Sequence, residues 1–139
     1  MVKDVNVEAD PLLARISSLL AARGAAFAYV FGSYGTPSFG PESDVDIAVS
    51  FAPKRLAWKE LFALASDLED VAGRKVDLAD LLVCDPILRM QVLRRGRVIF
   101  VRDARALSEF RMKTPSLYFD VKISRRAVEE AHWNRGARL

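Results

Sequence analysis

Apolar residues along the chain alternate between helical and strand spacing. Leu12, Leu13, Ile16, Leu19 and Leu20 recur on one helical face, behind an Asp10-Pro11 start and ahead of Gly24. That arrangement predicts a helix over roughly residues 10–23. The run from Ala26 to Phe31 and the run from Val45 to Phe51, closed by Pro53, read as two strands separated by a turn rich in glycine, serine and proline. Trp58, Leu61, Phe62, Ala65 and Leu68 return to helical spacing, which places a second helix over about Ala57 to Ala72 with those residues on its core face and Gly73 as its stop. Lys75 to Leu81 reads as a third strand. Asp85-Pro86 repeats the capped proline start and opens a helix to about Arg95, with Ile87, Leu88, Met90 and Val92 inward. Gly96 then precedes a strand over Val98 to Val101. From Asp103 onward the pattern is mostly helical, and Thr114-Pro115 predicts a kink or a restart before the helix runs toward His132.

The order helix, strand, strand, helix, strand, helix, strand, helix describes an α/β (α+β) fold. It is a small mixed sheet of about four strands with helices packed mainly on one side. A chain of 139 residues, 51% hydrophobic and 28% charged, suits one domain spanning 1–139 with a helical C-terminal segment from about 103. No apolar run approaches the length needed to cross a bilayer. The first ten residues carry Asp4, Glu8 and Asp10 where a signal peptide would be basic and then apolar, so a cytoplasmic address is expected.

Few residues offer alternative chemistry. Cys84 is the single cysteine and follows Leu81, Leu82 and Val83, which predicts a buried, unreactive thiol and no internal disulfide. His132 is the single histidine, so neither a histidine-based triad nor a zinc site can be assembled. The net charge of +3 is concentrated in Arg89 to Arg111 and Lys122 to Arg138. Such stretches fit an acidic protein surface, RNA or phosphates, and equally fit solvated helix faces. Trp58, Phe62 and Phe110 read as core residues in preference to a base-stacking platform. Leu117, Tyr118, Phe119 and Val121 could close the core or meet a partner, and partner contact is the preferred reading.

The informative stretch is Gly32-Ser33, ten residues, then Asp44-Val45-Asp46. Side chains two apart on a strand share a face, so Asp44 and Asp46 should project together. Two carboxylates so close raise each other's pKa unless a cation lies between them, and hard oxygen ligands suit Mg²⁺ or Mn²⁺. Asp77 adds a third carboxylate on the next strand, facing away from Val76 and Leu78, and three such ligands fit a two-metal site. There Asp44 and Asp46 would bridge the metals. Asp77 would complete the shell of the metal on the attacking side and accept the proton of the attacking group. Gly32 lets the backbone approach a phosphate, and backbone N–H groups with the Ser33 hydroxyl can hold it. Ser43 either orients this loop or serves only the turn.

The pattern Gly-Ser, ten residues, Asp-x-Asp resembles the signature of the DNA polymerase β-like nucleotidyltransferase superfamily. At this length the chain resembles its minimal nucleotidyltransferases (MNT), the antitoxin partners of HEPN-domain toxins. Lys75-Val76-Asp77-Leu78 looks like the family's third-carboxylate strand, and Pro86 through Phe100 like its usual helix and strand ending. The resemblance implies that Gly32 and Ser33 bind nucleotide phosphates and that Asp44, Asp46 and Asp77 bind two Mg²⁺ ions and carry catalysis. It further implies ATP as donor and AMP transferred to a tyrosine of a HEPN RNase toxin in a hetero-oligomer, with no direct nucleic-acid role. Many relatives have a basic residue after Gly-Ser, where this chain has Tyr34-Gly35-Thr36-Pro37-Ser38-Phe39; Arg74, Lys75 or the partner could supply that charge. Two other functions compete: an antitoxin that masks its toxin by binding alone, and a transferase acting on a small molecule or RNA end. The latter would be expected to need a further acceptor-holding domain.

Overall fold

The computed structural model describes the backbone of residues 9–137 and the side chains of residues 9–133; Asp4, Glu8 and Arg138 lie outside them. Four helices and four strands follow the expected order: α1 (Pro11–Ala22), β1 (Phe27–Phe31), β2 (Val45–Ser50), α2 (Trp58–Ala72), β3 (Val76–Asp80), α3 (Pro86–Arg95), β4 (Arg97–Val101) and α4 (Ala104–Ala137). Local chemistry sets the helix starts. The Asp10 carboxylate accepts from the N–H groups of Leu12 (3.1 Å) and Leu13 (3.2 Å), and Asp85 accepts from that of Ile87 (2.7 Å). Each side chain satisfies donors that the first turn leaves free, with proline following where no donor is needed.

The sheet is mixed and ordered β3-β2-β1-β4. β1 runs antiparallel to β2 and β4, whereas β2 and β3 are parallel. Alternation along the strands divides the core in two. On one face Ala28, Val30, Val45, Ile47, Val49, Val76 and Leu78 pack against Leu13, Ile16 and Leu20 of α1 and Leu64 and Leu68 of α2. On the other, Phe27, Tyr29, Ala48 and Val98 pack against Val92 of α3 and Leu107 and Phe110 of α4. The helices are therefore not mainly on one side. α1 and α2 cover one face, and α3 and α4 cover part of the opposite face.

Four further expectations need correction. The buried face of α2 is Leu64, Leu68 and Ala72, and Trp58 and Phe62 lie in solvent. In α3 the buried residues are Arg89, Met90 and Val92, while Ile87 and Leu88 are only partly covered. α4 does not restart at Pro115 but continues through it. The hydrogen bond that proline cannot donate is outweighed there by Phe110 and Thr114, both buried against α3, with Thr114 accepting from Arg89 Nε at 3.2 Å. Phe110 is buried as expected, and Cys84 is only half-buried. Leu117 and Phe119 do not close the core and stay exposed. Among the described residues no helix is long and apolar enough to cross a membrane.

Candidate active site

The part of the second sheet face that α3 and α4 leave open lies at the N-terminal ends of β2 and β3. Parallel pairing sets Asp46 directly beside Asp77, and antiparallel pairing sets Phe31 on the other side of Asp46. Because Val45 and Ile47 point into the α1/α2 core, the pleat turns Asp46 to the open face; Asp77 is turned out between buried Val76 and Leu78 by the same alternation. Asp44, exposed, immediately precedes β2.

Chain direction reverses after β1 at Gly32, whose φ of +70° belongs to the left-handed region. A Cβ there would land on Asp46 Oδ2 and sit 2.9 Å from its Cγ. Glycine is thus required twice, by the backbone and by the carboxylate lying over its Cα. Ser33 commits its carbonyl to the turn, accepting from the N–H (2.9 Å) and hydroxyl (2.6 Å) of Thr36.

Electrostatics tie the three aspartates together. Burial, then the charge of Asp77, then that of Asp44 push the Asp46 carboxyl above its ordinary range. None of the ion pairs among the described residues involves Asp44, Asp46 or Asp77. No group of three such side chains among them is drawn tightly enough to form a ready-made ion cage. An all-oxygen, all-anionic donor set fits a hard divalent cation.

The loop from 32 to 44 is fastened from outside by residues that local spacing does not reveal. Tyr34 donates its hydroxyl to Asp10 Oδ2 (2.6 Å), and burial together with that bond pushes the phenol up to about 12. Arg97 Nη2 donates to the Tyr34 carbonyl (2.7 Å). The ring of Phe39 meets that of Tyr34 edge-on, with centroids 5.0 Å apart, and lies under the Arg74 guanidinium at 4.4 Å. Arg74 Nη2 also donates to the carbonyls of Gly40 (2.6 Å) and Ser43 (3.1 Å), while the Ser43 hydroxyl accepts from the Gly40 N–H (2.9 Å). Arg74 therefore braces the loop through two of its carbonyls and the Phe39 ring. The hydrogen bonds to Asp10, Arg74 and Arg97 join residues 24 to 63 positions apart, whereas the Tyr34–Phe39 and Gly40–Ser43 contacts lie within the loop.

Residues 15–105 match the family model described as Polymerase beta, Nucleotidyltransferase. A candidate protein adenylyltransferase from Methanocaldococcus jannaschii is 32% identical over 79 residues, covering 57% of this chain and 84% of that protein. A solved toxin-antitoxin structure with AMP-PNP contains a chain 28% identical, with a TM-score of 0.77 over 87% of this chain and 98% of that one. A second solved structure, a tri-AMPylated HEPN toxin of Shewanella oneidensis in complex with an MNT antitoxin, contains a chain 28% identical at a TM-score of 0.73, covering 88% of this chain and 96% of that one.

Proposed function

The chain belongs to the polymerase beta nucleotidyltransferase family, and from that premise we propose that it is an MNT antitoxin that transfers AMP from ATP to a tyrosine of its HEPN toxin. The observation that carries this reading is the row Gly32, Asp46, Asp77, with glycine packed under one carboxylate and a second carboxylate in register beside it. The toxin-antitoxin complexes described above, one with AMP-PNP and one with an AMPylated toxin, support the donor and the acceptor. The reaction belongs in the cytoplasm, where ATP is the abundant triphosphate.

Gly32 and Ser33 bind the triphosphate. The Ser33 carbonyl is held in the turn by Thr36; the Ser33 N–H and hydroxyl would donate to phosphate oxygens, and glycine at 32 lets the backbone come close. Asp44, Asp46 and Asp77 would hold divalent ions, two Mg²⁺ in this reading. When bound, the ions supply positive charge that offsets the three carboxylates and the charge developing on the phosphate. The acceptor hydroxyl oxygen forms a bond to the α-phosphorus while the bond from that phosphorus to the bridging oxygen breaks. Pyrophosphate carries away the electron pair, and Asp77 takes the hydroxyl proton directly or through water. The product is a tyrosyl-AMP ester.

The decisive experiment is the intact mass of the toxin after incubation with ATP, Mg²⁺ and either wild type or Asp44→Asn/Asp46→Asn. AMP-sized increments with wild type alone are expected. An unmodified but silenced toxin in both cases would make the chain a masking antitoxin.

A further inference from the structure

β3 is an edge strand, paired with β2 alone. Its free side and α2 enclose a groove of about 410 Å³ whose walls include Leu61, Phe62, Ala65, Glu69, Val76 and Asp77. On the same helix stand Trp58 and Phe62, one turn apart, 68% and 71% exposed. Their rings meet edge-to-face with centroids 6.0 Å apart. The core face of α2 is already filled by Leu64, Leu68 and Ala72, so the fold does not call on these two aromatics. Large, rigid aromatics left in water beside a groove are the kind of surface that binds another protein.

We propose that Trp58 and Phe62, with the groove between α2 and β3, dock the acceptor protein so that its hydroxyl is delivered to Asp77. This rests on the protein-acceptor reading of the site. The argument for that occupant is continuity: the groove runs along the β3 edge as far as Asp77, whose carboxylate turns to the other face of the sheet, so an acceptor seated on α2 reaches it around that edge. Gly32 and Ser33 place the triphosphate on the β1–β2 side, and in-line displacement brings the acceptor in opposite the leaving pyrophosphate. The β3 edge is the side on which the proton-accepting carboxylate lies. The occupant's chemistry follows from the walls. It presents apolar side chains to Trp58 and Phe62, and near Glu69 and Asp77 it is neutral or basic, since an acidic segment would be repelled. A second row of exposed apolar residues, Phe119, Ile123 and Val128, lies on α4, which packs on α3.

The test uses the full chain with Trp58→Ser/Phe62→Ser, and Met112→Ser, at an exposed apolar position of α4, as control, assayed for initial AMP transfer at varied concentrations of separately purified toxin. The α2 variant should keep its melting temperature and AMP-PNP affinity while transfer at low toxin concentration falls on the order of tenfold or more, rescued at high toxin; the α4 variant should keep its initial rate. Wild-type transfer matched by the α2 variant would overturn the docking proposal alone. So would loss of AMP-PNP binding in that variant, or a change in the oligomeric state of the chain by itself. Failure of wild type to modify the toxin would instead overturn the underlying reading.

Discussion

Arg74 donates to the Ser43 carbonyl at 3.1 Å, so the residue that leads toward Asp77 on β3 holds the one that precedes Asp44. The same nitrogen reaches the Gly40 carbonyl, and Phe39 stacks on the guanidinium. Two of the three carboxylates are thereby set relative to each other through a single cation. Arg74→Ala should raise the Mg²⁺ concentration for half-maximal AMP transfer about tenfold, with most of the rate recovered at saturating Mg²⁺. Arg74→Lys, with a point charge but no planar fork to stack on Phe39, should fall between. A variant whose Mg²⁺ dependence is unchanged would remove Arg74 from any role in positioning.

Gly32→Ala combines a left-handed backbone with a collision against the Asp46 carboxylate. The backbone contribution costs roughly 1–3 kcal/mol. The collision does more harm, because an aspartate displaced by about 1 Å can cost on the order of a hundredfold in rate. Transfer should therefore collapse in a protein whose circular dichroism is native and whose melting temperature is only modestly lower. Equal activity in the variant would mean that Asp46 does not need its present position.

Much of this was legible in the sequence, for reasons that are local. Asp10-Pro11, Asp85-Pro86, Gly73 and Gly96 punctuate the chain with capping chemistry, so α1 to α3 and the four strands were expected within a residue or two of where they lie. Asp46 and Asp77 announce themselves by strand parity, whereas Asp44, expected on the strand, lies one residue before β2. The face of α2 could not be read in the same way. Trp58, Leu61, Phe62, Ala65 and Leu68 form one helical stripe and Leu61, Leu64, Leu68 and Ala72 another, and only docking on the sheet selects between them. The loop braces were hidden because Asp10, Arg74 and Arg97 reach it from distant parts of the chain. Continuation of α4 through Pro115 likewise depends on α3 being present.

Tyr34 should give the protein an alkaline signature. Its phenol is held neutral by burial and by the bond to Asp10, with a folded-state value of about 12 against an ordinary 10.0. A proton bound more tightly in the folded state contributes stability fully below about 10, and that contribution is lost as pH rises toward 12. Urea midpoints should fall over this window in wild type. The fall should be shallower in Tyr34→Phe, which has no proton to lose; parallel pH profiles would show that the phenol is not linked to folding.

Cys84 should react sluggishly although it is not fully covered. Burial pushes the thiol up to about 11 from 9.0, with the nearby Arg89 charge offsetting part of the effect. At pH 8 the thiolate fraction is then on the order of a hundredfold lower than in a free thiol, and the thiolate is the nucleophile. Labelling by a disulfide reagent should be slow in native protein and become fast in urea. Rapid native labelling would mean that the thiol is more exposed or better charge-stabilised than its surroundings indicate.

Thr114 offers a test of what keeps α4 on the sheet. It is fully buried, and its hydroxyl donates to the Phe110 carbonyl (2.6 Å) while accepting from Arg89 Nε (3.2 Å). Arg89 is itself buried, bonds the Leu81 carbonyl through Nη1 (2.7 Å) and lies over the Phe110 ring at 5.0 Å. No carboxylate pairs with it among the described residues, and burial alone pulls its pKa below the ordinary value. Its charge is thus tolerated through neutral acceptors, of which Thr114 is one. Thr114→Val keeps the shape and removes that acceptor, leaving a buried cationic donor unmet at a cost of about 1–3 kcal/mol. Thr114→Ser keeps the oxygen and should lose far less. Chemical denaturation of the two variants decides the matter: equal stability would mean that the methyl group matters there and the hydrogen bond to Arg89 does not.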